Sequence, residues 1–485
     1  MTAATRTLDW LAQSAQGAWL VPPTAGATFV GATTDSRHVT SNIAFVALAG
    51  ERVDGFDYCA QAAAAGAAVL IVPTARGLPK GTGSIPVLGV DDPLTALGRL
   101  AEAIRCLFQG RVVAVTGSNG KTTTKELIAA ALGPAVDVCK TPGNYNTDVG
   151  LPLTLLGSTG KERFWVLEMA MRGPGEISYL SSLARPHVAV VTNIGAAHLG
   201  RLGSLQAIAD AKGEIFEGLM PDGVALIPDQ EPLLLPSVRF LRSDRCQRFG
   251  TRLGGGCDLA VSVLDCVPAG AAGSVVRYAV GDDPVLVNLP LSGVHNAVNG
   301  GIALAVAVAL GISAKDAAAG LQRVELPPHR SRPLAMADRV VLDDCYNANP
   351  SSMIAALQAV VAGSRGTGRA FAVLGDMLEL GADEVGMHEQ LGRDLVAAGL
   401  AGVVGVGALG SHIARAASVA GMAHAVQVAE PAEAAQLVST WTHAGDWILV
   451  KGSRGASLER VIAALQILWA DEITEDQSPS AREPI

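Results

Sequence analysis

The most constraining feature of this chain is a glycine-rich turn between an apolar strand and a helix. Residues 111–125 read RVVAVTGSNGKTTTK, so an apolar run ends at Thr116 and Lys121-Thr122 opens the next helix. Backbone N–H groups of such a turn, with the positive end of the helix, bind a polyphosphate, while the lysine neutralises it and the hydroxyl binds Mg²⁺. The pattern predicts a nucleotide site formed by Thr116, Gly117, Ser118, Asn119, Gly120, Lys121, Thr122 and Thr123.

Two details narrow this prediction. The usual motif has a further glycine five residues before Gly120, and this chain has Val115 there, so the effective motif is Gly117-x-x-Gly120-Lys121-Thr122. The strand–turn–helix context still favours phosphate binding over an ordinary glycine-rich turn. The guanine-specific pattern Asn-Lys-x-Asp occurs nowhere in the chain, so we expect ATP rather than GTP.

Candidate magnesium ligands follow along the chain. The apolar strand Phe164–Leu167 leads to Glu168 at its carboxyl end, where folds of this kind place a metal-binding carboxylate. The next apolar run leads through Asn193 to His198, and the helical stretch IADAKGEIFEGL contains Lys212. Taken alone, His198 is more typical of an ordinary loop histidine, and Lys212 of a solvated helix lysine.

Short apolar runs alternate with helical stretches over most of the chain. This alternation is typical of an α/β fold with parallel sheets and crossover helices. Between residues 254 and 290 the pattern changes to polar–apolar alternation, which predicts an antiparallel excursion. The predicted strands are Ala67–Val72, Arg111–Thr116, Phe164–Glu168, His187–Asn193, Gly223–Pro228, Val340–Asp344, Ala370–Leu374, Gly402–Val406 and Trp447–Lys451.

The length of 485 residues exceeds one ordinary core and fits about three domains. We expect a smaller N-terminal α/β domain at 1–109 and a central domain at 110–326 with a mainly parallel sheet of the P-loop NTPase type. A C-terminal Rossmann-like domain is expected at 327–470, followed by a disordered tail at 471–485. The division after 326 follows from a pair of prolines that interrupts the chain there.

Composition excludes several classes of protein. The net charge of −9 disfavours a nucleic-acid partner, which requires a basic surface. The N-terminal residues lack the unbroken apolar stretch of a signal peptide, and the longest apolar run, Gly300–Ile312, is shorter than the roughly 20 residues of a membrane helix. The seven scattered cysteines favour reduced thiols. We expect a cytoplasmic monomer without membrane or nucleic-acid partners.

Together the motifs resemble those of the Mur ligase family, ATP-dependent enzymes that extend the peptidoglycan precursor. The matching stretches run in order from Thr116 to Gly455: TGSNGKTTTKE, TPGNYNTDVGLPLTLL, LEMAMRGPGEI, VAVVTNIGAAHLGRLGS, IADAKGEIF, GVHNAVNG, VLDDCYNANPSSM, GDMLELG and LVKGSRG. A weaker N-terminal match is TDSRHVTSNIAFVALAGERVDGFDY. YNANP, GDMLELG and KGSRG are most similar to the last-acting member. That similarity implies transfer of D-alanyl-D-alanine to a UDP-N-acetylmuramoyl-tripeptide through an acyl-phosphate.

The resemblance also implies roles for individual residues. Lys121 and Thr122 would bind the ATP phosphates and a first Mg²⁺, with Glu168 as its carboxylate ligand, and His198 would help to bind a second Mg²⁺. Lys212 matches a lysine that the family carbamylates, which turns a cation into the anionic oxygen ligand that Mg²⁺ prefers. Further implied ATP contacts are Asn299, Arg330, Asp344, Asn347 and Asn349, and implied substrate contacts are Ser36, Arg37, Gly50, Asn144, Thr147, Lys451 and Arg454. The implied catalytic set is Lys121, Glu168, His198, Lys212 and Arg330.

This chain departs from the family pattern at three places. Phe56 stands where the family usually has a histidine, and Gly200 replaces a commonly acidic residue after His198. The stretch PHRSR at 328–332 offers two candidate arginines, Arg330 and Arg332, of which Arg330 is slightly favoured.

Other functions stay open at this point. A sister Mur ligase or a folylpolyglutamate synthetase would share the loop, Glu168 and the lysine, although Ala348 disrupts the Asp-Asn-Pro motif of the sister that adds the third residue. The pattern Gly405-x-Gly407-x-x-Gly410 matches a dinucleotide fingerprint and by itself indicates an oxidoreductase. A non-enzymatic module that binds nucleotide without turnover is the remaining alternative.

Overall fold

The computed structural model describes residues 3–133, 137–196, 199–254, 259–281 and 283–470. Predicted ligand His198 and the predicted tail 471–485 therefore lie outside the described residues. The described chain forms successive α/β units around three larger sheets, which confirms the expected fold class. Within these ranges no helix is both long and apolar enough to cross a membrane.

The first large sheet comes from the N-terminal part of the chain. Its strands lie in the order Ala18–Val21, Val87–Val90, Val69–Pro73, Ala44–Val46, Ala32–Thr33. The first pair is antiparallel and the other pairs are parallel. Two short strands, Thr5–Thr7 and Thr28–Val30, pair separately. The accompanying helices are Leu8–Ala15, Cys59–Ala64 and Pro93–Leu107.

The helix Pro93–Leu107 connects this sheet to the next one. It begins where Asp92 accepts a hydrogen bond from the backbone N–H of Thr95 at 2.8 Å, with proline in its first turn. Beyond its end the ring of Phe108 stacks on Trp165 with centroids 3.7 Å apart. The buried Arg105 donates through Nε to the carbonyl of Ala184 at 2.6 Å. One apolar core therefore contains residues from both sides of position 109.

The second sheet occupies the centre of the chain. Its described strands lie in the order Asp283–Leu289, Ser274–Val280, Val261–Pro268, Cys246–Leu253, Val224–Pro228, Val188–Val191, Arg111–Thr116, Phe164–Glu168, Val138–Lys140. The pairs formed by the first three of these strands are antiparallel, which confirms the predicted excursion. Val261–Pro268 pairs in parallel with Cys246–Leu253, so the excursion extends the central sheet. The helices of this part are Lys121–Leu132, Gly150–Leu156, Glu176–Ala184, Leu199–Leu202, Leu205–Gly213, Leu235–Val238, Val294–Ala309 and Ala314–Leu321.

The strand Arg111–Thr116 is buried on both of its faces. Val112 and Ala114 pack into the core shared with Trp165, whereas Val113 and Val115 pack into the opposite core. Because alternate residues of a strand point to opposite faces, two covered faces require an unbroken apolar run. The carboxyl end of this strand lies beside the carboxyl ends of its parallel neighbours Phe164–Glu168 and Val188–Val191. The phosphate loop and Glu168 are therefore at the same edge of the sheet.

The third sheet is C-terminal and covered by helices on both faces. Its strands lie in the order Arg332–Met336, Arg339–Asp343, Trp447–Lys451, Ala370–Leu374, Gly402–Val406, His424–Val428, with only the first pair antiparallel. Its helices are Pro350–Ser364, Glu384–Ala397, Gly407–Val419, Pro431–Trp441 and Glu459–Leu468. The predicted strands are all present here and in the other sheets, with ends shifted by a residue or two at most.

Candidate active site

The phosphate loop contains two glycines, Gly117 and Gly120, at positions where a residue with a side chain would be strained. Gly117 has φ +148° and Gly120 has φ +76°. A Cβ on Gly117 would collide with Oγ1 of Thr192, and a Cβ on Gly120 would lie 3.0 Å from Oδ1 of Asn299. Glycine is therefore required at both positions, and the predicted nucleotide contact Asn299 lies directly against the loop.

The neighbouring strand end fixes the shape of the loop. The backbone N–H of Asn119 donates to Oδ1 of Asn193 at 2.9 Å, and Nδ2 of Asn193 donates back to the Asn119 carbonyl at 3.1 Å. The Ser118 N–H donates to the carbonyl of Asn193 at 2.9 Å. Buried Thr116 donates through Oγ1 to the carbonyl of Met169 at 2.8 Å. These hydrogen bonds hold the loop in a defined conformation.

Lys121 lies over the loop that it follows. Its Nζ donates to the carbonyls of Gly117 at 2.8 Å and Ser118 at 3.3 Å. Burial lowers the pKa of Lys121, Glu168 opposes that shift, and the positive charge of Arg330 adds to it. The predicted ligand Thr122 and its neighbour Thr123 are buried beside it at the start of the helix.

Glu168 presents at the sheet edge one carboxylate oxygen that accepts no hydrogen bond from the described residues. Only 2% of the residue is exposed, and Oε1 accepts a hydrogen bond from Nδ2 of Asn146 at 2.8 Å. Oε2 is buried, accepts no hydrogen bond from the described residues and lies 3.8 Å from Nζ of Lys125. A buried anionic oxygen without a hydrogen bond is costly unless it binds a cation. The arrangement fits a hard metal ion.

The sequence did not predict a role for two residues beside Glu168, Lys125 and Asn146. Lys125 is fully buried, donates to the Thr141 carbonyl at 2.6 Å and lies 3.1 Å from Oε1 of Glu126. Asn146 orients Glu168, as described above. Both residues lie in stretches that resemble the Mur ligase family, TGSNGKTTTKE and TPGNYNTDVGLPLTLL. That resemblance was the sequence feature that could have indicated their roles. A lysine in the first turns of a helix is ordinarily solvated, which hid the role of Lys125.

Lys212 is buried in the structure. It lies near the end of the helix Leu205–Gly213 and is 1% exposed. Burial lowers the pKa of Lys212 well below its ordinary value, and the charge of Lys121 lowers it further. The local sequence favoured a solvated helix lysine, and that expectation is wrong because the side chain is buried.

The C-terminal part of the chain reaches the phosphate loop through Asn349. Nδ2 of Asn349 donates to Oδ1 of Asn119 at 2.6 Å, and Nδ2 of Asn119 donates to Oγ of Ser351 at 2.8 Å. Asn349 also begins the helix Pro350–Ser364, because its Oδ1 accepts from the N–H of Ser352 at 2.9 Å. The structure thus brings together two predicted nucleotide contacts that lie far apart in the sequence.

The two candidate arginines occupy different surroundings. The guanidinium of Arg330 stacks over the ring of Tyr346 at 3.6 Å, and its charge contributes to the lowered pKa of Lys121. Arg330 Nε is buried and donates to no described residue. Arg332 begins the edge strand Arg332–Met336 and is exposed. The surroundings of Arg330 favour it as the nucleotide contact.

The predicted residues Asp344, Asn347 and Lys451 contact one another. Nζ of Lys451 donates to Oδ2 of Asp344 at 2.6 Å and to the carbonyl of Asn347 at 2.8 Å. Oδ1 of Asp344 accepts from the N–H of Ser331 at 2.9 Å. Lys451 is only 2% exposed, and the Asp344 carboxylate balances its charge. Its substrate role stays a prediction.

The other predicted substrate contacts lie outside these interactions. Oγ of Ser36 donates to Gln61 at 2.9 Å, and the exposed Arg37 forms a 2.7 Å ion pair with Asp35. Gly50 donates to the carbonyl of Val53 at 2.9 Å. The remaining members are Asn144, which is exposed, Thr147, whose Oγ1 accepts from the Gly150 N–H at 3.4 Å, and Arg454, which lies 3.6 Å from Glu459. Their substrate roles stay predictions.

Three parts of the chain match the domain models of one protein family. Residues 28–105 match the Mur ligase family catalytic domain, residues 115–307 the Mur ligase middle domain, and residues 329–454 the Mur ligase glutamate ligase domain. A protein of Escherichia coli (strain K12), UDP-N-acetylmuramoyl-tripeptide–D-alanyl-D-alanine ligase, is 37% identical over 447 residues, which are 91% of this chain and 95% of that protein. The chain belongs to the Mur ligase family.

Solved structures of Mur ligases share the architecture of this chain. A crystal structure of MurF from Acinetobacter baumannii is 33% identical, superimposes with a TM-score of 0.85, and covers 96% of this chain and 100% of that one. The MurF ligase from Thermotoga maritima, solved in complex with ADP, is 29% identical with a TM-score of 0.78, and covers 91% of this chain and 98% of that one. The similarity therefore extends over all three large sheets.

In this Mur ligase, a side chain of the protein itself binds the backbone N–H groups of the dinucleotide fingerprint. Gly407, with φ +87°, begins the helix Gly407–Val419. Oδ1 of Asp376 accepts hydrogen bonds from the backbone N–H groups of Leu409 at 2.9 Å and Gly410 at 2.8 Å. Since a pyrophosphate would need these N–H groups, it would have to displace the Asp376 carboxylate. The geometry opposes the oxidoreductase interpretation.

Proposed function

We propose that this chain is an ATP-dependent ligase that joins D-alanyl-D-alanine to UDP-N-acetylmuramoyl-tripeptide, releasing ADP and phosphate. The observation that carries the proposal is the 37% identity to the E. coli ligase of that name over 91% of this chain. The motifs YNANP, GDMLELG and KGSRG support the same member of the family. The proposal includes action as a monomer in the cytoplasm on peptidoglycan precursors.

ATP is assigned to residues Thr116–Thr123, which form the phosphate loop and the start of the helix after it. The ADP complex of the T. maritima relative supports a nucleotide site in this fold. Asn299 and Asn349 contact the loop in this chain, and Arg330 offers a buried guanidinium N–H without a described partner. An unpaired buried donor beside a phosphate-binding loop is expected to bind an anionic oxygen of the ligand.

Magnesium is assigned to the edge of the central sheet. Thr122 and the free Oε2 of Glu168 would bind one ion, and His198 with Lys212 a second. Bound there, Mg²⁺ supplies positive charge that offsets the charge of the phosphate oxygens. Lys125 and Asn146 orient the Glu168 carboxylate, so its free oxygen faces a defined position.

Lys212 fits carbamylation for a chemical reason. An uncharged amine is the form that attacks CO₂, and burial lowers the pKa of Lys212 toward that form. The new N–C bond forms as the amine loses one proton, which leaves a carbamate with one negative charge. The change replaces a buried amine with an oxygen ligand of the kind that Mg²⁺ prefers.

The reaction proceeds in two steps. An oxygen of the tripeptide carboxylate attacks the γ-phosphorus of ATP, ADP leaves, and an acyl-phosphate forms. Lys121 and Arg330 lower the repulsion between the two anionic reactants. The amine of D-alanyl-D-alanine then attacks the acyl carbon, loses a proton, and the tetrahedral intermediate expels phosphate to leave the amide.

Water has to be excluded because it hydrolyses the acyl-phosphate. The proposed ATP contacts come from two parts of the chain, the loop around Asn119 and the helix start at Asn349, which are joined by a hydrogen bond. Closure of these parts around ATP would remove solvent from the reacting groups. We assign the precursor to 1–109, ATP and metals to 110–326, and the closing wall to 327–470.

A phosphate-release assay tests the proposal. With ATP, Mg²⁺, UDP-N-acetylmuramoyl-tripeptide and D-alanyl-D-alanine together, we expect release of phosphate and formation of the extended UDP-linked pentapeptide by mass. Omission of either substrate should abolish the product. Turnover with the dipeptide precursor and a single amino acid instead would establish a sister ligase, turnover on folylpolyglutamate would establish that relative, and ATP binding without product would establish a binding module.

A further inference from the structure

Three side chains of types that can bind a metal ion, those of His329, Asp343 and Cys345, lie close to one another. Nδ1 of His329 lies 3.2 Å from Oδ1 and 3.0 Å from Oδ2 of Asp343. Sγ of Cys345 lies 3.1 Å from Oδ1 of Asp343 and 3.5 Å from Nδ1 of His329. Asp343 ends the strand Arg339–Asp343, and His329 lies in the segment that enters the C-terminal sheet.

The spacing of these atoms is close to that of a tetrahedral metal site. Zinc bonds of about 2.3 Å to sulfur and about 2.0–2.1 Å to nitrogen and oxygen place neighbouring ligand atoms roughly 3.3–3.6 Å apart. The three separations here, 3.5, 3.1 and 3.2 Å, differ from those values by a few tenths of an ångström. Small side-chain rotations would make room for the ion.

We propose that His329 Nδ1, Asp343 Oδ1 and Cys345 Sγ bind one Zn²⁺ ion, with water as the fourth ligand. Nitrogen, oxygen and sulfur together suit Zn²⁺, whereas Mg²⁺ prefers oxygen ligands alone. The site is therefore selective against the ion assigned to Glu168. Binding releases one proton, because the Cys345 thiol, which donates to Asp343 without metal, becomes a thiolate bound to zinc.

Burial and backbone conformation support a defined site. Asp343 and Cys345 are buried, and the His329 side chain is 25% exposed, which gives an ion a path from solvent. His329 and Ser331 both have positive φ values, +66° and +49°, so surrounding contacts determine the conformation of this segment. A bound ion would tie the segment that carries Arg330 to the end of a central strand of the C-terminal sheet.

Cobalt spectroscopy on the full chain tests the proposal. We expect one equivalent of Co²⁺, added to the reduced metal-free protein, to give a thiolate-to-cobalt charge-transfer band with visible bands of tetrahedral intensity. Zn²⁺ should remove both in competition, and excess Mg²⁺ should not. Co²⁺ bound by Glu168 would give no charge-transfer band, because that site has no thiolate.

Variants assign the band to this cluster. Cys345→Ser should abolish it, and His329→Gln should weaken Co²⁺ and Zn²⁺ binding at least about tenfold. The matched control Cys106→Ser, at an exposed free thiol, should leave the band unchanged. A band retained in folded Cys345→Ser, or lost in Cys106→Ser, would overturn the proposal. If Cys345→Ser does not fold, unchanged affinity in His329→Gln would overturn it equally.

Discussion

The side-chain amide of Asn349 donates a 2.6 Å hydrogen bond to Oδ1 of Asn119, so the last sheet unit of the chain touches the phosphate loop. Asn119 is itself fixed by Asn193, at the end of a neighbouring central strand. The contact joins two parts of the proposed ATP site. It also gives a single bond on which the proposed closure can be tested.

Replacing Asn349 by serine should separate this bond from helix capping. Serine caps a helix about as well as asparagine, but its shorter side chain does not reach Asn119. A lost hydrogen bond of about 1 kcal/mol predicts a ligation rate lowered about fivefold with little change in Tm. Steady-state kinetics and thermal unfolding measure the two effects. The control Ser352→Ala, which breaks the capping box alone, should lower Tm and preserve the rate; a normal rate in Asn349→Ser would contradict the closure.

Lys121→Ala should lower turnover by more than about 100-fold, because the charge that develops on the transferred phosphoryl group loses its positive partner. The phosphate-release assay measures this loss at saturating substrates. Lys161→Ala, at an exposed lysine outside the site, is the control and should retain full activity. Near-normal turnover in Lys121→Ala would refute the assignment of the phosphate loop.

Lys212→Ala should be inactive, and short carboxylates added to the assay should partly restore the activity. The acid would occupy the space of the missing side chain and supply an oxygen ligand in place of the carbamate. Lys212→Arg is the control, since its side chain fills the space with a permanent cation and should show no rescue. A fully active Lys212→Ala enzyme would show that the carbamate is unnecessary.

Lys125 and Lys140 both form ion pairs with Glu126, so substitutions of the two lysines can be compared directly. Lys125 is fully buried between Glu126 and Glu168, whereas the Lys140 side chain is 45% exposed. Lys125→Met should lower the free energy of unfolding by about 3–5 kcal/mol, because the buried Glu168 carboxylate loses the ammonium group beside it, whereas Glu126 keeps Lys140. Lys140→Met should lower it by less than about 1 kcal/mol. Denaturant unfolding compares them, and equal effects would contradict the buried role of Lys125.

Thermal unfolding with added nucleotides should separate the two glycine-rich loops. ATP with Mg²⁺ should raise Tm, since a ligand that binds only the folded state stabilises it. NAD and NADP should leave Tm unchanged, because Asp376 already accepts from the N–H groups of Leu409 and Gly410. Stabilisation by either dinucleotide, without any from ATP, would refute the ligase assignment.

Local patterns predicted much of this molecule. The strand Arg111–Thr116 and the loop after it follow from an unbroken apolar run and two glycines, which are properties of neighbouring residues. The hydrogen bond between Asn119 and Asn349 joins positions 230 residues apart, so no local pattern contains it. The burial of Lys125 and Lys212 likewise depends on which elements pack over their helices, and the charge of a lysine indicated the opposite.

The shared core around Phe108 has a consequence for working with pieces of this protein. Phe108 stacks on Trp165, and Arg105 donates to the carbonyl of Ala184. The helix Pro93–Leu107 therefore covers part of one face of the central sheet. A recombinant fragment that begins at residue 110 would expose that indole and leave its neighbours without cover. Such a fragment should aggregate on expression, whereas a fragment that begins before Asp92 would keep the helix that covers this indole.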